Sequence, residues 1–302
     1  MNAKPRKVLV SGTSGPIGAA LLPALREHDW QVTRLVRGKA GGSDEITWDP
    51  LQPLRPQAVS GFDAVIHLAG ESIVGRWTEA KKRRIRDSRV QGTRHLAEAL
   101  AETEPRPQVL ITASAIGFYG DRGEESLRED SLPGKGFLPE VCREWEGAAQ
   151  PAEDAVIRTA QVRFGLVLTP SGGALGKMLT PFRMGVGGNI GNGRQWWSWI
   201  DVRDLVAAIQ FVINDVNLGG AINFVGPNPV RNAEFTRTLA SVLSRPAIFP
   251  VPAFAARLAF GQMADELLLS SQKVEPAKLL AEGYPFRHAE LKAALKDRLK
   301  RA

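Results

Sequence analysis

Between Lys7 and Leu25 the chain passes through three textures: an apolar β-type run to Ser11, the turn Gly12-Thr-Ser-Gly15-Pro-Ile-Gly18, and the apolar-periodic Ala19–Leu25. Read together they predict strand, tight turn and helix. The G-x-x-G-x-x-G spacing has a physical purpose in that setting. Gly12 permits a sharp turn, Gly15 lets the backbone approach a pyrophosphate, and Gly18 lets helix and strand pack closely, while the helix N-terminus offers N–H groups to an anion. A purely structural turn is the competing reading. The strand before and helix after weigh toward a dinucleotide.

The same alternation continues down the chain. Strands are expected at Gln31–Val36, Glu45–Trp48, Ala64–Leu68 and Val109–Ala113, with a long helix over Thr78–Glu102. Right-handed βαβ units then give an α/β fold, a Rossmann-type doubly wound parallel sheet with a small, mostly helical C-terminal substrate subdomain. We expect a cofactor domain over 1–168, with late sheet elements at about 200–227. A mixed sheet and lid region is expected at 169–247, and a helical module at 248–302. After a strand at Val162–Leu168, the glycine-rich stretch from Gly172 to Gly193, ending in Trp196-Trp197-Ser-Trp199, reads as a loop over a ligand. The tryptophans read either as an aromatic wall or as junction packing. Helix at Val202–Val212, strand at Ala221–Val225 and helix at Ala233–Leu243 complete the pattern.

With 302 residues, 43% hydrophobic and 24% charged, the chain can bury a sizeable core. It has no apolar run of membrane-spanning length and begins close to its first strand, so a cytoplasmic protein with no membrane partner is expected. The single Cys142 excludes an internal disulfide, and His28, His67, His95 and His288 are too scattered for a metal motif, so no metal is expected. Lys and Arg outnumber Asp and Glu by 39 to 32, giving +7 and favouring anionic partners. The densest run, Lys81 to Arg89, lies in a helical pattern without interleaved aromatics. It reads as a solvated face or as a phosphate or substrate anion site, not as a nucleic-acid surface.

The second strand bears on which dinucleotide. An NAD site places an acid about 20 residues beyond the glycines to accept from the ribose 2′-OH. Here the strand ends Leu35-Val36-Arg37-Gly38-Lys39. Arg37 has the planar fork that suits a 2′-phosphate, so NADP(H) is the expected cofactor; the alternative is an ordinary exposed arginine. At the fourth strand's end, His67 reads as packing, whereas Glu71 stands where a carboxylate can point into the ligand crevice.

These residues resemble the extended branch of the short-chain dehydrogenase/reductase superfamily: the glycine turn, Leu68-Ala69-Gly70, Arg89-Val-Gln-Gly92-Thr93, Thr112-Ala-Ser114 and Asp201-Val-Arg-Asp204. Leu68-Ala-Gly-Glu71-Ser-Ile, Gly191-x-Gly193-x-Gln195…Ser198-Trp199-Ile200 and Ser271-Gln-Lys-Val-x-Pro276…Gly283-Tyr-x-Phe286 are similar to one atypical family within it, the NAD-dependent epimerase/dehydratase-like proteins with a short C-terminal module of uncharacterised function. The resemblance implies an NADP(H)-binding Rossmann fold with cofactor contacts at Gly12, Ser14, Gly15, Ile17, Val36, Arg37, Leu68, Ala69, Arg84, Arg89 and Val167, with Gly18 and Gly70 completing the two glycine motifs. Arg89 stands where that branch usually carries asparagine, and would favour an anionic ligand or the cofactor phosphates.

The superfamily's Tyr-x-x-x-Lys pair, in which lysine lowers the tyrosine pKa for proton exchange with substrate, is absent. The corresponding stretch is Phe137-Leu-Pro-Glu140-Val141-Cys142. Candidate catalytic residues are therefore Ser114, Tyr119 and Glu71, although an unassisted tyrosine is a poor base at neutral pH. Tyr284 reads as packing. The leading expectation is an oxidoreductase of atypical mechanism on a small, anionic or neutral, carbonyl or hydroxyl substrate, as monomer or homodimer. Its rival is a catalytically silent NADP(H)-binding sensor or regulator. A nucleotide-sugar epimerase or dehydratase comes third, because it needs the missing relay.

Overall fold

Val8, Leu9, Val10 and Ser11 are all buried, so Lys7–Ser11 (β1) is covered on both faces, as a parallel strand flanked by helices must be. The computed structural model, which describes residues 5–299, pairs β1 in parallel with β2 (Gln31–Val36) and β4 (Ala64–His67). β3 (Glu45–Thr47), β5 (Val109–Ala115), β6 (Arg158–Phe164) and β7 (Gly220–Phe224) extend it to a seven-stranded parallel sheet of order β3-β2-β1-β4-β5-β6-β7. The winding direction reverses between β1 and β4. In such sheets the crevice outside the carboxyl ends at that reversal receives ligands.

The helices, in chain order, are α1 (Pro16–Glu27), α2 (Glu79–Ala101), α3 (Phe137–Gly147), α4 (Gln150–Asp154), α5 (Gly173–Arg183), α6 (Val202–Asn214), α7 (Asn232–Leu243), α8 (Ala253–Phe260), α9 (Ala277–Ala281) and α10 (Leu291–Leu299). Alternation along the strands divides the core between the two faces. Val8, Val10, Ile66 and Ile111 meet Leu21 and Leu25 of α1 and Leu205, Ile209 and Val212 of α6. Leu9, Val65 and Leu110 meet Leu96, Ala97 and Leu100 of α2 and Ala152 of α4. None of these helices is long and apolar enough to cross a membrane.

Two segments depart from the sequence reading. The run read as one strand over 162–168 is two. β6 begins at Arg158, and Leu166–Leu168 pairs separately with Trp199–Asp201. Gly165 divides them, because the chain passes so close to residue 198 that a Cβ there would stand 2.6 Å from the Ser198 carbonyl oxygen. The stretch beginning at Gly172 is not a loop throughout, since α5 occupies its first part. Leu175, Leu179 and Phe182, at helical spacing, bury against Trp197, Trp199, Phe235 and Leu239. Only the part after Arg183 is glycine-shaped loop, with Gly185, Gly191 and Gly193 at positive φ.

The C-terminal helical region, as far as residue 299, lies over the rest as a strap with three docking points. Met263 packs with Trp77, Leu138 and Val141. Lys273–Val274 pairs in parallel with Ser126–Leu127, and Leu279 and Tyr284 enter the main core. Leu291, Ala294 and Leu295 of α10 then enter the core shared by α5 and α7. The α10 end is held by an ion pair and by polar contacts. Arg298 Nε lies 2.9 Å from Asp201, and His288 stands 3.5 Å from Asp204 and 3.2 Å from Asp297. Asp201, Asp204 and His288 bring potential metal ligands within 4.8 Å of one another, but the Arg298 guanidinium supplies the positive charge there.

Candidate functional site

The glycine turn is wedged between the end of β4 and the start of α1. Gly12 sits at φ +71°, and a Cβ on it would fall 2.5–2.7 Å from the Leu68 carbonyl and the Ala69 nitrogen. At Gly18 a Cβ would fall 2.6 Å from the Gly12 oxygen and from the Thr13 Cα. Both glycines are therefore required by close backbone approach. Gly15 is the N-cap of α1, and a Cβ there would meet only the Gly12 oxygen at 3.4 Å. Pro16 at the first helical position contributes no N–H, so the donors open to an anion come from neighbouring backbone such as that of Ile17. The loop after the strand Leu166–Leu168 comes up beside the turn, so that a Cβ on Gly172 would stand 3.6 Å from that of Pro16. That places Val167 in a strand leading toward the turn, and Ile17 and Val167 both pack on the main core.

Below the turn, Ser11 and His67 hold the strand ends in register. Ser11 Oγ accepts from the Leu68 and Ala69 N–H groups at 3.2 and 3.3 Å and stands 2.7 Å from His67 Nδ1. With those acceptances, the hydroxyl hydrogen goes to Nδ1, which fixes the imidazole as the neutral Nε2-protonated form. Burial pushes the His67 pKa down to about 4 and keeps it neutral. The ring also meets Trp48 edge-on at 5.6 Å.

Arg37, directly after β2, is exposed, and no hydrogen bond or ion pair engages its side chain among the described residues. Across the turn, after β4, Glu71 accepts from Lys81 Nζ at 2.8 Å and lies 3.8 Å from Arg84 Nε. The Lys81 hydrogen bond, with the fields of Lys81, Arg84 and Arg37, holds the Glu71 carboxyl below its ordinary range. Its backbone is fixed too: the Glu71 N–H donates to Ser88 Oγ, and Arg89 Nη1 donates to the Glu71 and Ile85 carbonyls. The Arg89 guanidinium, stacked over Trp145 at 4.9 Å, closes against Gly70. Of the residues singled out in sequence, the structure thus gathers Gly12, Ser14, Gly15, Ile17, Gly18, Val36, Arg37, Leu68, Ala69, Gly70, Glu71, Arg84 and Arg89 at the carboxyl ends of β1, β2 and β4. These residues fit a dinucleotide: a bare backbone cradle with an unpaired cation beside it.

Ser114 and Tyr119 lie elsewhere in the crevice floor, within a buried polar network. Ser114 Oγ donates to Glu146 Oε1 at 2.6 Å. Glu146 in turn accepts two bonds from Arg163, both 2.8 Å. Arg163 Nη1 donates to the Tyr119 hydroxyl at 2.9 Å, and that hydroxyl donates to Asn223 Oδ1 at 2.7 Å. Tyr119 is fully buried, and burial pushes its pKa up to about 12. Both hydroxyls are thus engaged with protein groups, and Ser114 is only 1% exposed. A charge within a buried parallel strand must be paired, so Arg163 in its apolar run was the sequence signal for this network. Its partners Glu146 and Asn223 carry no such signal.

The lid side is equally committed. Trp197 and Trp199 are core residues, whereas Trp196 lies between Arg231 and Lys273 at 4.2 and 5.3 Å. Gln195 donates to the Ile190 and Leu268 carbonyls. Where the strap meets α3, Glu266 accepts from the Phe137 and Leu138 N–H groups at 3.1 and 2.7 Å, capping that helix from a distant part of the chain. On either side of this contact lie cavities of about 410 Å3, lined by Lys82, Arg83 and Arg86, and about 290 Å3, lined by Lys135, Arg257 and Asp265.

Residues 8–140 match the family described as NAD dependent epimerase/dehydratase, and 251–297 match a domain of unknown function, DUF1731. Over 95% of this chain and 96% of its own length, an epimerase family protein of Mycobacterium tuberculosis is 41% identical. The chain belongs to the NAD dependent epimerase/dehydratase family. Another member of it, the human epimerase family protein SDR39U1, was crystallised with NADPH. That structure is 35% identical to this chain, covers 98% of it and 100% of itself, and superposes with a TM-score of 0.91. The crystal structure of the nucleoside-diphosphate sugar epimerase from Corynebacterium glutamicum is 38% identical with a TM-score of 0.83, the match covering 98% of this chain and 58% of that one. In this epimerase/dehydratase family member residues 8–140 hold the turn, Ser114 and Tyr119, residues 251–297 hold most of the strap, and Glu146, Arg163 and Asn223 lie between the two matched regions.

Proposed function

We propose that this chain binds NADP(H) across the carboxyl ends of β1, β2 and β4 and serves as an oxidoreductase on a small carbonyl or hydroxyl compound. The observation that carries the cofactor assignment is the glycine turn pressed onto Leu68–Ala69 beside the unpaired Arg37. The crystallised human relative, with NADPH, supports the same choice. The bound nicotinamide would give or take the hydride. This chain's residues would bind the pyrophosphate through backbone around Gly12–Ile17, meet the 2′-phosphate with Arg37 and Arg84, and orient the reacting group near Ser114. Since the hydrogen of Ser114 goes to a carboxylate that is paired with Arg163, Ser114 presents lone pairs and suits a hydroxyl donor better than a carbonyl acceptor.

One observation favours a second reading, cofactor binding without turnover: both hydroxyls that a proton relay would use are buried and bonded within the protein. Titration with NADPH and NADH, followed by nicotinamide fluorescence, tests the cofactor assignment. We expect NADPH to bind more tightly, and Arg37→Ala to weaken NADPH about tenfold or more while sparing NADH. Equal loss for both cofactors would refute the role of Arg37. Oxidation of bound NADPH, or reduction of bound NADP+, across a panel of carbonyl and hydroxyl compounds then separates the two readings, and silence throughout would leave the binding protein.

A further inference from the structure

β2 and β4 flank β1, so the residues that follow them stand on opposite sides of the glycine turn. One side supplies Arg37. The other supplies Glu71, with Lys81 and Arg84 reaching it from the first turns of α2. Two cations thus contact one half-buried carboxylate, and the field of a third, Arg37, reaches it from across the turn. Nothing about this arrangement serves proton transfer at the other end of a dinucleotide, where Ser114 lies after β5.

Resting on the NADP(H) reading above, we propose that Glu71 sets the discrimination between phosphorylated and unphosphorylated dinucleotide, by acting as an internal counter-anion in the 2′-phosphate site. A 2′-phosphate brings close to two negative charges to Lys81, Arg84 and Arg37, and must share those cations with the Glu71 carboxylate. An unphosphorylated ribose brings a neutral 2′-hydroxyl, which can donate to that carboxylate and leave its ion pairs intact. The carboxylate therefore lowers affinity for NADPH and not for NADH. It also keeps the cations from repelling one another before cofactor arrives. Glu71 is a specificity residue in this account, separate from any acid–base role.

The test is binding of NADPH and NADH to the full chain, wild type and Glu71→Gln, by nicotinamide fluorescence at low salt and again at about 0.5 M salt, where surface charge is screened over a few Å. Glu71→Gln is expected to tighten NADPH about five- to tenfold at low salt, to leave NADH unchanged or weaker, and to lose most of the gain at high salt. Lys81→Met, which frees the carboxylate to compete for Arg37 and Arg84, is expected to weaken NADPH and not NADH. A Glu71→Gln change that is equal for both cofactors, or that weakens NADPH, overturns the proposal while leaving the cofactor assignment standing. Wild-type protein that binds no NADPH overturns both.

Discussion

Acidification should loosen the floor of the crevice through His67. Its imidazole is fully buried and its pKa lies at about 4, against 6.5 in an unfolded chain, with burial as the cause. Because the folded value is depressed for a basic group, the unfolded state takes up the proton first as pH falls. Stability is therefore intact above 6.5 and declines from there to about 4. A difference of about 2.5 units corresponds to about 3 kcal/mol at full development, and to about 2 kcal/mol between pH 7 and pH 5. Other groups titrate in the same range, so the measurement is a comparison. Urea denaturation of wild type and His67→Asn, followed by circular dichroism at pH 7, 6 and 5, should show the variant losing about 2 kcal/mol less over that interval. Protonation would also turn His67 Nδ1 from an acceptor into a donor and displace the Ser11 hydroxyl that gathers the Leu68 and Ala69 N–H groups. Cofactor affinity in wild type should accordingly fall as pH drops through about 4, more steeply than in the variant. Identical pH slopes for the two proteins would refute the assignment of a neutral, buried His67.

Gly12→Ala would force a left-handed backbone on an L-residue, at a cost of about 1–2 kcal/mol, and push its methyl into the Leu68 carbonyl. Loss of NADPH binding by at least tenfold in fluorescence titration is expected, and unchanged affinity would show that the turn does not meet the cofactor. Arg163→Met leaves the Glu146 carboxylate without its bidentate partner inside the protein, so urea denaturation should report about 3–5 kcal/mol of lost stability. Adding Glu146→Gln should recover part of that loss.

The sheet was legible because β1, β4 and β5 are short apolar runs bounded by turn residues, and the glycine turn announces itself by spacing. The start of β6 was not. Arg158, Gln161 and Arg163 interrupt the apolar pattern, and what makes them tolerable is distant: Arg158 reaches the Val212, Ile213 and Leu218 carbonyls, and Gln161 reaches Glu153. α5 was hidden by glycines at both of its ends, although Leu175, Leu179 and Phe182 carry the helical period. The cofactor half of the site is read from local sequence, because the glycine turn, Arg37 and Leu68–Gly70 each directly follow one of three adjacent strands, β1, β2 and β4. The Ser114 end does not follow. Its surroundings are assembled from β5, α3, β6 and β7, and only the fold shows that Glu146 stands where it captures the Ser114 hydroxyl.

Because the strap is pinned at the α3 cap, at the edge of the sheet and in the α5–α7 core, it ties the two cores together as a tendon ties bones across a joint. A rigid swing of the lid region away from the sheet would have to strip Leu279 and Tyr284 from one core or Leu291 and Leu295 from the other. The cheaper opening is local. The segment around α8 and Met263 is held to the rest chiefly by one small apolar cluster, the Glu266 cap and the bond from Arg76 to the Leu258 carbonyl. Both cores can therefore stay shut while the sixteen residues from Ala253 to Leu268 loosen.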